Sequence, residues 1–352
     1  MFLSGLGTAV PVTRFSQAEC WAAFQRAPQF PQLNAQSHAL LRKVLHSQHG
    51  IATRHLAVAA LDEGFVITPD TLQARFARHA PALATRAAER ALAVAGLTPE
   101  MVDAVIISTC TGYLCPGLTS YVAENLGLRA DVLALDLVGQ GCGAAVPNAR
   151  MAEALLTAGR ARHVLCVCVE VCSAAVYLDN DPGVLISACL FGDGAAAAVW
   201  SAQPARHVRR VEWKSAAGTL SPAERDLLRF EHRDGLLRNV LAREVPALAG
   251  ARATSLFTDM LASQSVDRAE VTAWILHAGG REVLASLKRH LELAPAQLAL
   301  STGVLRDYGN LSSPFVLFVL ERALAEQTPG GWWWLASFGA GFSCHGAWLK
   351  VA

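Results

Sequence analysis

Nine cysteines and eleven histidines are scattered over 352 residues, so reactive chemistry must be sought in their settings and not in their number. Cys142 stands between two glycines in the run Val138-Gly139-Gln140-Gly141-Cys142-Gly143, immediately before a stretch with helical spacing. A thiol at a tight, glycine-flanked turn into a helix is exposed by the backbone and faces the unpaired N–H groups of the helix start. That setting, with an imidazolium beside it, lowers a thiol from about 8.5 toward the thiolate range, which suits covalent catalysis. Taken alone, a free cysteine is more often a buried packing residue. His277 closes an apolar run, and Asn310 follows Gly309 in a second glycine-led turn. A thiol, an imidazole and a carboxamide in one place can carry an acyl group and hold a developing oxyanion. Cys166, Cys168 and Cys172 are close together, but their spacing fits no usual zinc pattern and no histidine pair adjoins them, so no metal is expected.

The elements that must position these residues occur twice. The run VDAVIIST from Val102 resembles VTAWILHA from Val271, and the turn at Cys142 corresponds to the turn at Asn310; the two offsets differ by one residue. Each turn leads into a helical segment and then an apolar strand, VLCVCV in one half and WWWLAS in the other. Two matches in one order indicate a duplicated unit. His277 then has Ser108 as its counterpart, and the symmetry brings Cys142, His277 and Asn310 together where the halves meet. The halves are expected to be residues 1–203, carrying the nucleophile, and 204–352, carrying the histidine and asparagine. The connection falls around Ala202 to Arg210, where Pro204 and several arginines gather. Short buried strands alternating with amphipathic helices predict an α/β fold with well-covered sheets.

Composition excludes several functions. Hydrophobic residues make up 53% and charged residues 17%, and the net charge is +1, so no basic surface for nucleic acid is indicated. The start of the chain reads as a first strand and not as a secretion signal, and no apolar run is long enough to span a membrane. Reduced thiols and a cytoplasmic location are expected.

Six motifs in order carry a resemblance to a known family: TCTGYLCPGL (Thr109 to Leu118), the glycine-flanked Cys142, LFGDGAAAA (Leu190 to Ala198), LHAGG (Leu276 to Gly280), YGNLSSP (Tyr308 to Pro314) and SFGAGFS (Ser337 to Ser343). Together they span most of the chain, which resembles the type III polyketide synthases, the chalcone and stilbene synthase family of the thiolase-like superfamily, in its bacterial form. The resemblance implies a five-layered αβαβα thiolase fold with internal duplication, and a homodimer. It implies Cys142, His277 and Asn310 as catalytic residues, with coenzyme A thioesters as substrates and no cofactor. It makes Phe191 a gatekeeper between the coenzyme A tunnel and the reaction cavity, with Cys172, Ala175 and Cys115 also binding substrate. The turn holding Gly339 and Gly341 is expected to shape the cavity wall, although its glycines fit a simple turn between strands equally well. Arg42, Lys43 and Gly280 are the candidates for binding coenzyme A. The family's second gatekeeper falls at Arg238 or Asn239, neither of them aromatic.

The resemblance implies that Cys142 is loaded from an acyl-CoA, with imidazolium His277 stabilising its thiolate. Malonyl-CoA then decarboxylates against His277 and Asn310, and repeated extension and ring closure give an alkylresorcinol, phloroglucinol or pyrone. The small Ala175 and the altered gate lead to the expectation of room for a medium or long alkyl starter. A ketoacyl synthase that condenses once, and an inactive acyl-binding partner subunit with the same fold, are the alternatives. The combined TGYLCPG, FGDG and FGAG motifs favour the polyketide reading over the first, and the presence of Cys142 disfavours the second.

Overall fold

The computed structural model describes residues 1–46 and 50–352. The first half runs β1 (Phe2–Ala9), β2 (Arg14–Ser16), α1 (Gln17–Arg26), α2 (Ala35–His46), β3 (Thr53–His55), α3 (Pro69–Ala95), β4 (Ala104–Thr109), α4 (Leu118–Leu126), β5 (Leu133–Val138), α5 (Ala145–Thr157), β6 (His163–Glu170), α6 (Pro182–Leu190) and β7 (Gly194–Ser201). The second runs β8 (Val211–Leu220), β9 (Leu228–Arg233), β10 (Leu236–Leu241), α7 (Val245–Gln264), β11 (Val271–Leu276), α8 (Arg281–His290), α9 (Ala299–Tyr308), α10 (Phe315–Ala325), β12 (Gly331–Gly339) and β13 (Ser343–Val351).

The strand order β11-β12-β13-β8-β1-β7-β6-β4-β5 displays the duplication directly. Outward from its middle, β1-β7-β6-β4 is matched by β8-β13-β12-β11, with antiparallel inner pairs and a parallel outer pair on each side. Among the described residues β1 and β8 pair at a single position, Phe2 with Glu212, next to a Trp213 N–H to Met1 carbonyl bond of 2.9 Å, so the seam between the halves is short. Inside the fold lie α5 and α10, each packed on strands of both halves. Outside, α3 and α4 cover the first half-sheet, while α7, with α8 beside it, covers the second. This is the five-layered αβαβα arrangement of the thiolase fold.

Burial on both faces explains the composition of the strands. β4, β6 and β7 are buried along nearly their whole length and read as continuous apolar runs with no alternation. α3 extends well upstream of the helical stretch most visible in the sequence, Thr85 to Ala95. Thr68 caps it, its side chain accepting the Thr71 N–H, and Gly96 ends it in the left-handed region. β1 lies so close to α3 that a Cβ at Gly5 would come within 2.0 Å of the Ala91 carbonyl oxygen, so only glycine fits there. No helix among the described residues is long and apolar enough to cross a membrane.

Candidate active site

Cys142 lies in a short 3₁₀ turn, Gly141–Gly143, that feeds into α5 at the middle of the molecule. Gly141 is left-handed (φ 57°), and a Cβ there would come within 2.9 Å of the Ala340 nitrogen. A Cβ on Gly143 would meet Gly339 and His345, and one on Gly339 would approach the Gln140 carbonyl oxygen to 2.2 Å. The Gly339-Ala340 turn therefore buttresses the back of the Cys142 turn. Ala340, between the two glycines, lines a recess of about 510 Å³, while Gly339 and Gly341 (φ 123°) line none of the described cavities and serve the β12–β13 turn.

Asn310 enters from the opposite half, just before α10. Its Nδ2 donates to the Gly279 carbonyl at 3.1 Å, and its Oδ1 accepts the Ser312 N–H at 2.9 Å, which fixes the plane of the amide. One Nδ2 hydrogen remains for a ligand. The Asn310 backbone is bolted to the end of α6: its N–H donates to the Leu190 carbonyl at 2.8 Å, and its carbonyl accepts the Gly192 N–H at 2.9 Å. Phe191 is thereby held beside it. His277 follows β11, its backbone N–H on the Ala336 carbonyl and its ring against Phe315. Nδ1 is buried with no hydrogen-bond partner among the described residues, and the residue lines the chamber it shares with Cys142 and Asn310. A buried, unpartnered Nδ1 is better tolerated as a lone pair than as an N–H, so Nε2 carries the proton.

Cys142, His277 and Asn310 line one chamber of about 430 Å³, together with Phe191, Gly280 and Phe338. The structure thus brings together all three predicted catalytic residues, along with the gate and Gly280. Lys43 lines the same chamber, and so do Arg243 and Arg281, which sequence reasoning missed. Arg42 instead lies over the Trp21 ring, 5.9 Å from its centroid, and lines no described cavity. Cys115 is exposed and also lines none.

Burial pushes the Cys142 thiol up to about 12 and the His277 imidazole down to about 3. In both cases the cause is the water-poor interior, which penalises the charged form of each group. The partner of Cys142 Sγ is Ser312 Oγ, at 3.1 Å. Ser312 is buried and left-handed (φ 59°), held there by Asn310 Oδ1. Its hydroxyl also donates to Glu170 Oε1 at 3.3 Å. Glu170, fully buried at the end of β6, further accepts bonds from Ser313 Oγ (2.6 Å), Cys110 Sγ (3.2 Å), Cys110 N (3.0 Å), Thr111 Oγ1 (2.9 Å) and Thr109 Oγ1 (3.3 Å). The sequence signal for this hub was a lone acid closing an otherwise apolar strand.

Phe191 and Asn239 each line both this chamber and an inner cavity of about 70 Å³. Asn239, at 7% exposure, donates from Nδ2 to Ser187 Oγ at 2.8 Å. Arg238 instead binds Asp181 and Glu231, so Asn239 holds the gate position. Cys172 and Ala175 line the inner cavity together with Phe24, Phe65 and Tyr177. By itself this cavity lies below the roughly 300–1,000 Å³ typical of ligand sites. A larger recess of about 510 Å³ is lined by Cys110, Thr111, Phe76 and Phe230, of which Thr111 and Phe230 also line the inner cavity.

Two family models together match nearly the whole chain. The model described as FAE1/Type III polyketide synthase-like protein covers residues 10–219, and the chalcone and stilbene synthase C-terminal domain covers residues 212–350. A 1,3,6,8-tetrahydroxynaphthalene synthase from Streptomyces peucetius subsp. caesius is 33% identical over 97% of this chain and 90% of its own. An α-pyrone-synthesis polyketide synthase-like protein of Mycobacterium tuberculosis is 28% identical over 80% of this chain and 74% of its own. Among solved structures, the tetrahydroxynaphthalene synthase of Streptomyces coelicolor A3(2) superposes with a TM-score of 0.89 at 25% identity, covering 100% of this chain and 99% of that one.

Proposed function

The chain belongs to the type III polyketide synthase family, and from that premise we propose how its own residues divide the work. It is an acyltransferase of the condensing type. Cys142 attacks an acyl-CoA thioester and carries the acyl group. Malonyl-CoA then enters the chamber of about 430 Å³ and loses carbon dioxide, and its enolate oxygen takes hydrogen bonds from His277 Nε2–H and the free Nδ2–H of Asn310. An imidazole N–H and an amide N–H suit this role, because both are aimed at the oxygen on which negative charge develops. The enolate carbon attacks the Cys142 thioester and lengthens the chain by two carbons. Extension repeats, and cyclisation follows.

The observation that carries this reading is the convergence of a thiol from one half and two donors from the other on one cavity. Lys43 at that cavity suits the phosphates of coenzyme A, and Gly280 the close approach of its pantetheine arm. No cofactor takes part in the scheme. The relatives' names point to fused or single aromatic rings and pyrones, and the small inner cavity favours short starters over long alkyl chains. A cytoplasmic homodimer fits the edge strand β5, which leaves Leu133 and Val138 exposed; sedimentation should find a dimer that Val138→Asp dissociates.

The test is incubation of the pure protein with short and long acyl-CoAs and labelled malonyl-CoA, with product masses read out. Products several acetate units longer than the starter are expected. A single condensation would indicate a one-round ketoacyl synthase, and no turnover with intact fold would indicate an acyl-binding partner.

A further inference from the structure

At the end of α6, where the gate begins, each backbone carbonyl has a donor. Ser187 O accepts the Phe191 N–H at 3.1 Å, which closes the helix, and Leu190 O accepts the Asn310 N–H at 2.8 Å. The carbonyls of Ala188, Cys189 and Phe191 are met by side chains from a distant segment. Arg54, on β3, donates from Nη1 to both Ala188 O at 2.8 Å and Phe191 O at 2.9 Å. Its Nε donates to Gln17 Oε1 at 3.1 Å, and Gln17 Nε2 donates to Cys189 O at 3.1 Å. We propose that Arg54 is the positioning residue of the gate. By tying the Phe191 carbonyl to the last turn of α6 it fixes where the ring stands, and so sets which acyl starters pass into the inner cavity. The proposal rests on Phe191 being that gate and on the polyketide synthase reading.

Three features of the geometry support it. Arg54 is only 3% exposed, and among the described residues no ion pair joins it to a carboxylate. A buried guanidinium without a counterion is costly, and the negative end of α6 offsets only part of that cost. A neutral side chain would cap Ala188 O more cheaply. What the planar fork adds is a bridge: one Nη1 hydrogen goes to a helical residue and the other to Phe191, whose backbone (φ −75°, ψ 144°) has already left the helix. The stem of Arg54 acts on the opposite side. A Cβ at Gly309 would come within 3.0 Å of Arg54 Cγ, so the side chain packs against the residue before Asn310. One side chain thus touches both the gate and the turn that carries the enolate donor.

The strand that presents Arg54 is anchored at the same two places. Thr53 Oγ1 donates to the Asp307 carbonyl at 2.7 Å, and the His55 carbonyl accepts the Asp193 N–H at 2.8 Å. Arg54 also lines the inner cavity beside Phe191. Two other roles are therefore open to it, a helix cap alone or a direct contact with the starter, and each predicts a different pattern from a residue that acts through the ring.

The readout is the ratio of kcat/KM for hexanoyl-CoA to that for lauroyl-CoA, with thermal melting as the check on folding. Arg54→Met releases the Phe191 carbonyl and should narrow the ratio roughly tenfold, since an ångström of misplacement costs up to about 10²-fold in rate. Arg54→Lys keeps the charge but cannot span two carbonyls as a fork does, and should narrow it by about threefold. Phe191→Ala should narrow the ratio by itself. Adding Arg54→Met to Phe191→Ala should then change the ratio by less than about twofold, because the ring through which Arg54 acts is gone. An unchanged ratio in the Arg54 variants, with both starters slowed alike, would mark Arg54 as a helix cap only. The same narrowing with and without the ring would mean that Arg54 meets the starter itself. Either result overturns the proposal. If Arg54→Met fails to fold, Arg54→Lys carries the same comparison in both backgrounds. An unaltered ratio in Phe191→Ala would sink the gate assignment and this proposal with it. Failure of the polyketide reading is separate and would show as no product from the unaltered protein with any acyl-CoA.

Discussion

Replacing Asn310 separates the two half-reactions, because its amide does two jobs at opposite ends. Nδ2 gives one hydrogen to the Gly279 carbonyl and has a second for the enolate, while Oδ1 holds the Ser312 N–H. Asn310→Ala removes both; Asn310→Asp keeps an acceptor for Ser312 but replaces the donor with an oxygen that repels developing negative charge. Loss of one oxyanion donor costs about 2.7–4 kcal/mol, or roughly 10²–10³ in rate. Malonyl-CoA decarboxylation without starter, followed as acetyl-CoA by chromatography, should fall by that factor in the alanine variant and at least as far in the aspartate variant. Starter loading, read as mass added to Cys142, should persist in the aspartate variant, where Ser312 stays anchored. Near-normal decarboxylation by Asn310→Asp would refute the reasoning and leave Asn310 as a tether for Ser312 alone. Equal loss of loading and decarboxylation in both variants would refute it as well.

Gly339→Ala places a Cβ about 2.2 Å from the Gln140 carbonyl oxygen, so the Cys142 turn must shift; chemical denaturation should show a loss of about 1–3 kcal/mol and loading should fall with it. His277 and His345 are held by burial at about 3 and about 4, below the unfolded value of about 6.5. Between those values the unfolded chain binds protons that the folded chain excludes, so these histidines stabilise the fold above about 6.5 and that contribution is lost as pH falls. Inside the window the two add a slope of about 2.7 kcal/mol per pH unit, and His345→Asn should remove about half of it in urea titrations at stepped pH. Tyr177→Ala opens the inner cavity, so kcat/KM should move toward longer acyl-CoAs; an unchanged order of preference would place the chain-length limit elsewhere.

The repeat made much of this legible from sequence. Two matched turns were enough to place Cys142 opposite Asn310, because a duplicated fold has only one place where equivalent turns face each other. Phe191 was legible through its motif, and its position beside Asn310 was not, since that rests on two backbone hydrogen bonds to residues of no special type. The depth at which the thiol and imidazole are buried escaped sequence reasoning because burial of a particular ring is a property of packing, not of residue type. In the sequence Glu170 is a lone acid closing an apolar strand; only the fold reveals that six donors from two separate segments, 109–111 and 312–313, surround it. The walls of the cavity beside Ala175 were illegible for a related reason: Phe24 and Phe65, which line it, come from a distant part of the chain.

The bond pair flanking Phe191 also constrains how such an enzyme can diversify. Gly192 and Leu190 are each tied to the Asn310 backbone, so the main chain at the gate cannot swing without dragging the enolate-holding amide with it. Motion there is confined to rotation of the Phe191 ring, a turnstile in a fixed frame and not a hinged door. A new side chain at the gate can retune which acyl groups pass while the frame, and with it the alignment of the decarboxylating carboxylate, stays in register. Lineages can thus change product by single substitutions at this position without first rebuilding their chemistry.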